Sequence, residues 1–86
     1  MEFVSIGYGG LVAAGRVIAV VAPDSAPVKR MVGEAKDHGM LIDATFGRKT
    51  AAVLVMDSDH VVLSALSVEK LAPRFGLDGA VWEEEN

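Results

Sequence analysis

The sequence contains no cysteine, and it has three prolines and one tryptophan among its 86 residues. Without cysteine the chain has no disulfide, no thiolate zinc site and no cysteine nucleophile, which excludes the disulfide-stapled secreted miniproteins. A long hydrophobic run is also missing, because the most apolar stretch, residues 11–23, is interrupted by Gly15-Arg16. No membrane span is therefore expected. Hydrophobic residues make up 51% and charged residues 23%, which is typical of a single soluble globular domain.

Charge is unevenly distributed along the chain. The formal net charge is −4, from 8 basic and 12 acidic residues. Four of the acidic residues lie in the last nine positions: Asp78, Glu83, Glu84 and Glu85. The remaining 8 acidic residues balance the 8 basic ones, so the body is neutral and a nucleic-acid partner stays possible. We predict one domain over residues 1–76 and a loosely ordered acidic tail over 77–86.

The clearest local pattern is a helix over about residues 25–38. Asp24 or Ser25 can cap it, and Pro27 falls in the first turn, where its missing N–H costs nothing. Gly39 can supply the left-handed residue that ends the helix. The apolar residues repeat at helical spacing and form one stripe: Val28, Met31, Val32 and Ala35.

Short valine-rich segments predict strands on both sides of this helix. Residues 11–14 and 17–22 form either one bulged strand or two strands that meet at Gly15-Arg16. Residues 40–46 and 50–56 read as a hairpin whose turn is the basic Gly47-Arg48-Lys49. Ser67 can cap a short C-terminal helix over about 67–75. Further strands are placed at residues 3–6 and 60–66.

These elements predict an α+β fold, a small and mostly antiparallel β-sheet with one main and one short helix. The strands over 17–22 and 53–56 are apolar on both faces, which implies burial on both sides. One helix covers only one face, so either the sheet curls or a second subunit covers the other. A chain this short also has a thin core, and both considerations favour a homo-oligomer.

Motifs for catalysis or cofactor binding do not hold up. The glycines at 7, 9 and 10 lack the further glycine that a dinucleotide loop needs where Val12 stands. Gly47-Arg48-Lys49-Thr50 differs from a phosphate-binding loop, because Arg48 separates the glycine from the lysine and a strand follows. No serine lies in a nucleophile elbow. We therefore expect no enzyme, no cofactor and no small-molecule substrate.

A metal site is also not expected. Asp57, Asp59 and His60 share one turn, but aspartates in tight turns usually hydrogen-bond their own backbone. No second histidine or carboxylate pair has ligand spacing.

The basic residues are the features left to interpret. Arg16 lies at a strand irregularity, Arg48 and Lys49 at a turn, and Lys29 and Arg30 on the helix as possible secondary contacts. Adjacent cations in a turn are often only a solvated turn. They can also bind the phosphates of DNA or RNA, with an affinity that depends on salt. Three cations on one subunit would bind weakly, but a symmetric oligomer would repeat them.

Four segments resemble the RemA family of bacterial extracellular-matrix regulators in order and spacing, over about residues 4–74. They are Ile6-Gly7-Tyr8-Gly9, Ala22-Pro23-Asp24-Ser25-Ala26-Pro27-Val28-Lys29-Arg30, Gly39-Met40-Leu41-Ile42-Asp43-Ala44-Thr45-Phe46-Gly47-Arg48 and Met56-Asp57-Ser58-Asp59-His60-Val61-Val62-Leu63-Ser64.

The first residues, Met1-Glu2-Phe3, are acidic where a secretory signal is basic, so no signal peptide is expected.

The resemblance implies a cytoplasmic regulator of biofilm-matrix genes that forms a ring-shaped homo-oligomer and binds double-stranded DNA around the ring. It implies that Arg16, Arg48 and Lys49 contact the DNA, and that Pro27 shapes the helix start. Two positions depart from the family pattern, which usually has asparagine where Gly15 stands and a second arginine where Lys49 stands. Lysine keeps the charge but loses the bidentate fork of arginine.

A different class of function stays open at this point. The chain could be a structural or adaptor oligomer that binds protein partners through its apolar sheet face and never touches DNA. In that case Arg48 and Lys49 could be replaced without effect.

Overall fold

The computed structural model describes residues 2–76, and the expected acidic tail over 77–86 lies outside the described residues. The chain begins with an antiparallel hairpin of β1 (Phe3–Gly7) and β2 (Gly10–Ala13). Side chains alternate along β1, so Val4 and Ile6 are buried whereas Phe3 is exposed. The hairpin therefore presents one apolar face to the rest of the molecule.

Four further strands form a second sheet in the order β3-β5-β6-β4. The inner strand β5 pairs antiparallel with β3 and β6, and β4 pairs parallel with β6. A 3-10 turn over Ala14–Arg16 separates β2 from β3, so the apolar stretch forms two strands in two different sheets. The strands of this sheet are β3 (Val17–Val21), β4 (Leu41–Asp43), β5 (Ala52–Met56) and β6 (Val61–Ser64).

The predicted helices are confirmed. Helix α1 (Ala26–Asp37) is capped at its N-terminus by Ser25, whose side chain accepts a hydrogen bond from the Val28 N–H at 3.3 Å. Pro27 lies in its first turn. His38 is its C-terminal cap, and Gly39 follows with a φ of 71°. Helix α2 (Val68–Leu71) continues as a 3-10 turn over Ala72–Phe75. With two mostly antiparallel sheets, the molecule has the α+β fold expected from the sequence.

The core has two parts, one on each face of the four-stranded sheet. On one face, Val53 and Val61 pack with Ala35 of α1. On the other face, Leu54 packs with Ile6 of the β1–β2 hairpin and Leu71 of α2. The expectation that this face is covered either by a curled sheet or by a second subunit was therefore wrong. The hairpin supplies that layer, because its alternating pattern gives it an apolar face of its own.

The predicted hairpin between residues 40–46 and 50–56 was also wrong. Strand β4 ends at Asp43 and lies next to β6, while β5 lies on the other side of β6. Every residue of β6 is buried, which suits an inner strand, whereas Ile42 and Asp43 of β4 are exposed, which suits an edge. Residues 44–51 therefore cross the end of β6, and we call them the crossing loop.

The close packing of Gly7 against Leu66 gives a test of how the β1–β2 hairpin sits on the rest of the molecule. Gly7 has a φ of 92°, and a Cβ there would lie 2.8 Å from Cγ of Leu66. Gly9 has a similar φ of 87° but has open space around it. Both alanine variants meet backbone strain, and only Gly7→Ala also meets a clash.

We expect Gly7→Ala to lower the free energy of unfolding by roughly 1–3 kcal/mol more than Gly9→Ala. Urea unfolding followed by circular dichroism at equal protein concentration measures the difference. Equal losses in the two variants would show that the β1–β2 turn does not pack against Leu66.

Candidate nucleic-acid interface

The crossing loop is tied to β6 at both of its ends. The Ala44 N–H donates to the Leu63 carbonyl at 3.0 Å, and the Ala51 N–H donates to the Ser64 carbonyl at 2.8 Å. Two consecutive residues of a buried strand thus hold the start and the end of the loop. These two hydrogen bonds fix the position of the loop relative to β6.

A second set of hydrogen bonds fixes the loop from within. The Asp43 carboxylate accepts from the Thr45 N–H at 2.9 Å and from the Thr45 hydroxyl at 2.6 Å. The side chain of Thr45 is buried, and its carbonyl accepts from the Arg48 N–H at 3.1 Å. The two bonds from Thr45, the hydroxyl first, hold the pKa of Asp43 below its ordinary value of 3.8. Asp43 is therefore the charged anchor of the loop.

The turn between β1 and β2, residues 7–9, lies against the crossing loop, and we call it the glycine turn. The buried Ser64 hydroxyl donates to the Ile6 carbonyl at 2.9 Å, which fixes the end of β1 beside the end of β6. Tyr8 has a φ of 53° between two glycines that also have positive φ. The guanidinium of Arg48 lies 4.2 Å from the centre of the Tyr8 ring, a cation–π contact.

The other predicted cations at the crossing-loop end of the sheet lie in an open groove or on helix α1. Lys49 lines the groove together with Asp24 and Glu69, between the end of β3 and the start of α2. Lys29 and Arg30 are exposed in the first turns of α1, which begins at the same end of the sheet. The groove thus has both positive and negative walls, because Lys49 is basic whereas Asp24 and Glu69 are acidic. Arg48, next to Lys49, is exposed as well.

Arg16 lies at the opposite end of the four-stranded sheet. It precedes β3, and its neighbour Val17 pairs with Met56 at the end of β5, whereas Lys49 lies before the start of β5. Its Nε donates to both carboxylate oxygens of Asp57, at 2.9 and 3.0 Å. One protomer therefore brings Arg48 and Lys49 together and holds Arg16 apart from them.

The turn that could have suggested a metal site has other contacts. Asp57 pairs with Arg16, and the Ser58 hydroxyl lies 2.8 Å from Nδ1 of His60. In the part of the chain from residue 2 to 76, no three histidine or carboxylate side chains form a group that could hold a metal ion. Within the same part, no helix is both long and apolar enough to cross a membrane.

Two aromatic residues of this end were not singled out from the sequence. Tyr8 contacts Arg48, and Phe46 is 80% exposed in the crossing loop. Read from the sequence alone, the glycine cluster indicates a turn that needs no particular side chain, which leaves Tyr8 without a role. A large residue between glycines, and an aromatic residue before Gly47-Arg48-Lys49, were the signals that could have identified them.

Comparison with known proteins relates this sequence to one family. The model of a family described as RemA-like, Extracellular matrix regulatory protein A-like, matches residues 3–75. A protein of Carboxydothermus hydrogenoformans called "Putative regulatory protein" is 54% identical over 86 residues, which cover 100% of this chain and 97% of that protein. The Bacillus subtilis "Extracellular matrix regulatory protein A" is 49% identical over 84 residues, which cover 98% of this chain and 94% of that protein.

The hydrogen bonds around Asp43 lead to a prediction about pH. Thr45→Val removes the hydroxyl donor and keeps the N–H, so the pKa of Asp43 should rise toward 3.8. Because the folded-state pKa is lowered, the stability that Asp43 contributes is present above about pH 4 and is lost as the pH falls through the folded pKa. Acid should therefore destabilise the parent protein more steeply than the variant.

Carboxyl carbon chemical shifts in an NMR titration measure the pKa directly. Thr50→Val is the matched control, because Thr50 lies at the other end of the crossing loop from Asp43. An unchanged Asp43 titration in Thr45→Val would contradict the anchoring role.

Proposed function

The chain belongs to the RemA-like family of extracellular matrix regulatory proteins, and from this membership we propose that it regulates extracellular-matrix genes of biofilm formation by binding double-stranded DNA. Arg48 and Lys49 are the main phosphate contacts in this proposal, with Lys29 and Arg30 as secondary contacts at the same end. The names of the relatives favour a regulator over an enzyme.

The observation that carries the proposal is the fixed, exposed position of the two adjacent cations. Hydrogen bonds to β6 and to Asp43 hold the crossing loop, so Arg48 and Lys49 need little ordering when they bind. The Tyr8 ring also restrains the Arg48 guanidinium through the cation–π contact. Binding DNA then costs less side-chain entropy than it would for a flexible loop. Each phosphate contact also releases counterions from the DNA, which favours binding.

Arg16 is the third phosphate contact that we propose, in a different part of the surface. Asp57 engages its Nε and leaves the two terminal nitrogens of the guanidinium to donate to a phosphate. Because Arg16 is far from Arg48 along the sheet, a single protomer does not use the three as one cluster. The proposal therefore includes an assembly in which neighbouring copies supply the separate contacts to one DNA.

We also propose that this assembly is a ring-shaped homo-oligomer. The two outer strands of the sheet expose large apolar side chains, Ile18 on β3 and Ile42 on β4. A contact between two different edges is heterologous, and heterologous contacts close into rings when the rotation allows it. The adaptor alternative loses its main support, because the β1–β2 hairpin covers the sheet face on which it depended.

The DNA-binding role predicts a position-dependent effect of removing one charge. Lys49→Ala should weaken binding to every duplex and lower the slope of log affinity against log salt by about 0.9 for each phosphate that the protein no longer neutralises. Lys36→Ala is the matched control, because Lys36 is also exposed but lies in the last turn of α1, at the other end of the helix from Lys29 and Arg30. The double variant Arg48→Ala, Lys49→Ala should show the largest loss of affinity.

Fluorescence anisotropy of a labelled duplex at several salt concentrations measures both affinity and slope. Equal effects of Lys49→Ala and Lys36→Ala would reduce the interaction to net charge and contradict the interface. Absence of binding at low salt would contradict DNA binding itself.

A further inference from the structure

Phe46 is a residue that neither the fold nor the phosphate contacts account for. It is 80% exposed, the largest exposure among the big apolar side chains within residues 2–76. Burying a phenylalanine side chain is among the larger single contributions to stability, and this fold leaves that contribution unused. The ring instead extends from the crossing loop toward solvent.

The backbone at this position also disfavours phenylalanine. Phe46 has a φ of 57°, in the left-handed region that glycine and asparagine adopt more readily. Such a conformation is strained for a bulky residue. The hydrogen bonds of Thr45 with Asp43 and Arg48 hold the chain in this conformation on both sides of Phe46. The loop thus keeps an unfavourable residue in a fixed, outward position.

The surroundings of Phe46 indicate which partner the ring meets. Arg48 and Lys49 follow within three residues, and the Tyr8 ring lies under Arg48. Phenylalanine and arginine are enriched at the centres of protein–protein interfaces, but lysine is depleted there, so Lys49 is the residue that sets this patch apart from such a centre. A DNA duplex matches the arrangement, because it offers stacked base pairs to an apolar wedge and phosphates to the cations beside it.

We propose that Phe46 is a wedge that inserts between adjacent base pairs of duplex DNA and bends the duplex. This inference rests on the proposed DNA-binding function and adds a mode of recognition to it. Pyrimidine–purine steps such as TA unstack most easily, so the protein should prefer duplexes that carry such a step at the contact. Selection among DNA sequences then comes from deformability and needs no hydrogen bonds to base edges.

Three variants separate the wedge from other roles of the ring. Phe46→Asn removes the ring and suits the positive φ, so the variant should fold at least as stably as the parent. Phe46→Leu keeps an apolar wedge. Phe3→Thr is the control, because it removes another ring that is 58% exposed and keeps a residue suited to strand β1.

The measurements are energy transfer between dyes at the two ends of a short duplex with a central TA step, anisotropy for affinity, and light scattering for particle mass. We expect the parent, Phe46→Leu and Phe3→Thr to bend the duplex. We expect Phe46→Asn to lose the bend and to bind this duplex about tenfold more weakly, while keeping the particle mass of the parent.

The opposing results are distinct from one another. Bending that persists in Phe46→Asn overturns the wedge and leaves the DNA-binding function standing. A changed particle mass in Phe46→Asn overturns it in favour of a contact between copies of the chain. If the parent binds no duplex at low salt, the proposed function and the wedge fail together.

Discussion

The buried side chain of Ser64 is the junction on which the functional end of the molecule depends. Its hydroxyl donates to the carbonyl of Ile6 and accepts from the N–H of Leu66, and its own carbonyl accepts from the N–H of Ala51. One fully buried residue therefore joins the two-stranded sheet, the approach to α2 and the crossing loop. Buried polar groups of this kind are costly unless every partner is present, so the three segments must be positioned together.

The proposed DNA surface follows from this junction. With β1 fixed beside the end of β6, the glycine turn brings Tyr8 under Arg48. With the crossing loop held by β6 and by Asp43, Arg48 and Lys49 are presented on a backbone that is already ordered. The backbone strain at Phe46 persists because the hydrogen bonds on both sides of it determine the conformation of the loop. Rigidity of the loop, more than its charge, distinguishes it from an ordinary basic turn.

Local patterns predicted most of the elements but not their neighbours. The capping by Ser25 and the apolar stripe predicted α1, because a helix depends on residues close in sequence. The partner of β4 could not be predicted this way, since strand pairing joins distant segments and the basic turn looks like a hairpin. The separation of Arg16 from Arg48 follows from the antiparallel pairing of β3 with β5. The contact of Tyr8 with Arg48 forms only when two loops far apart in sequence meet.

The central claim is that DNA covers the crossing-loop end of each protomer. The lysines of the chain report on it, because Lys29 and Lys49 lie at that end whereas Lys36 lies at the far end of α1. Acetylation of lysines with and without saturating duplex, read by mass spectrometry, is the most direct measurement. We predict that DNA protects Lys49 most strongly and leaves Lys36 as reactive as before. Protection of Lys36 with an unprotected Lys49 would contradict the claim.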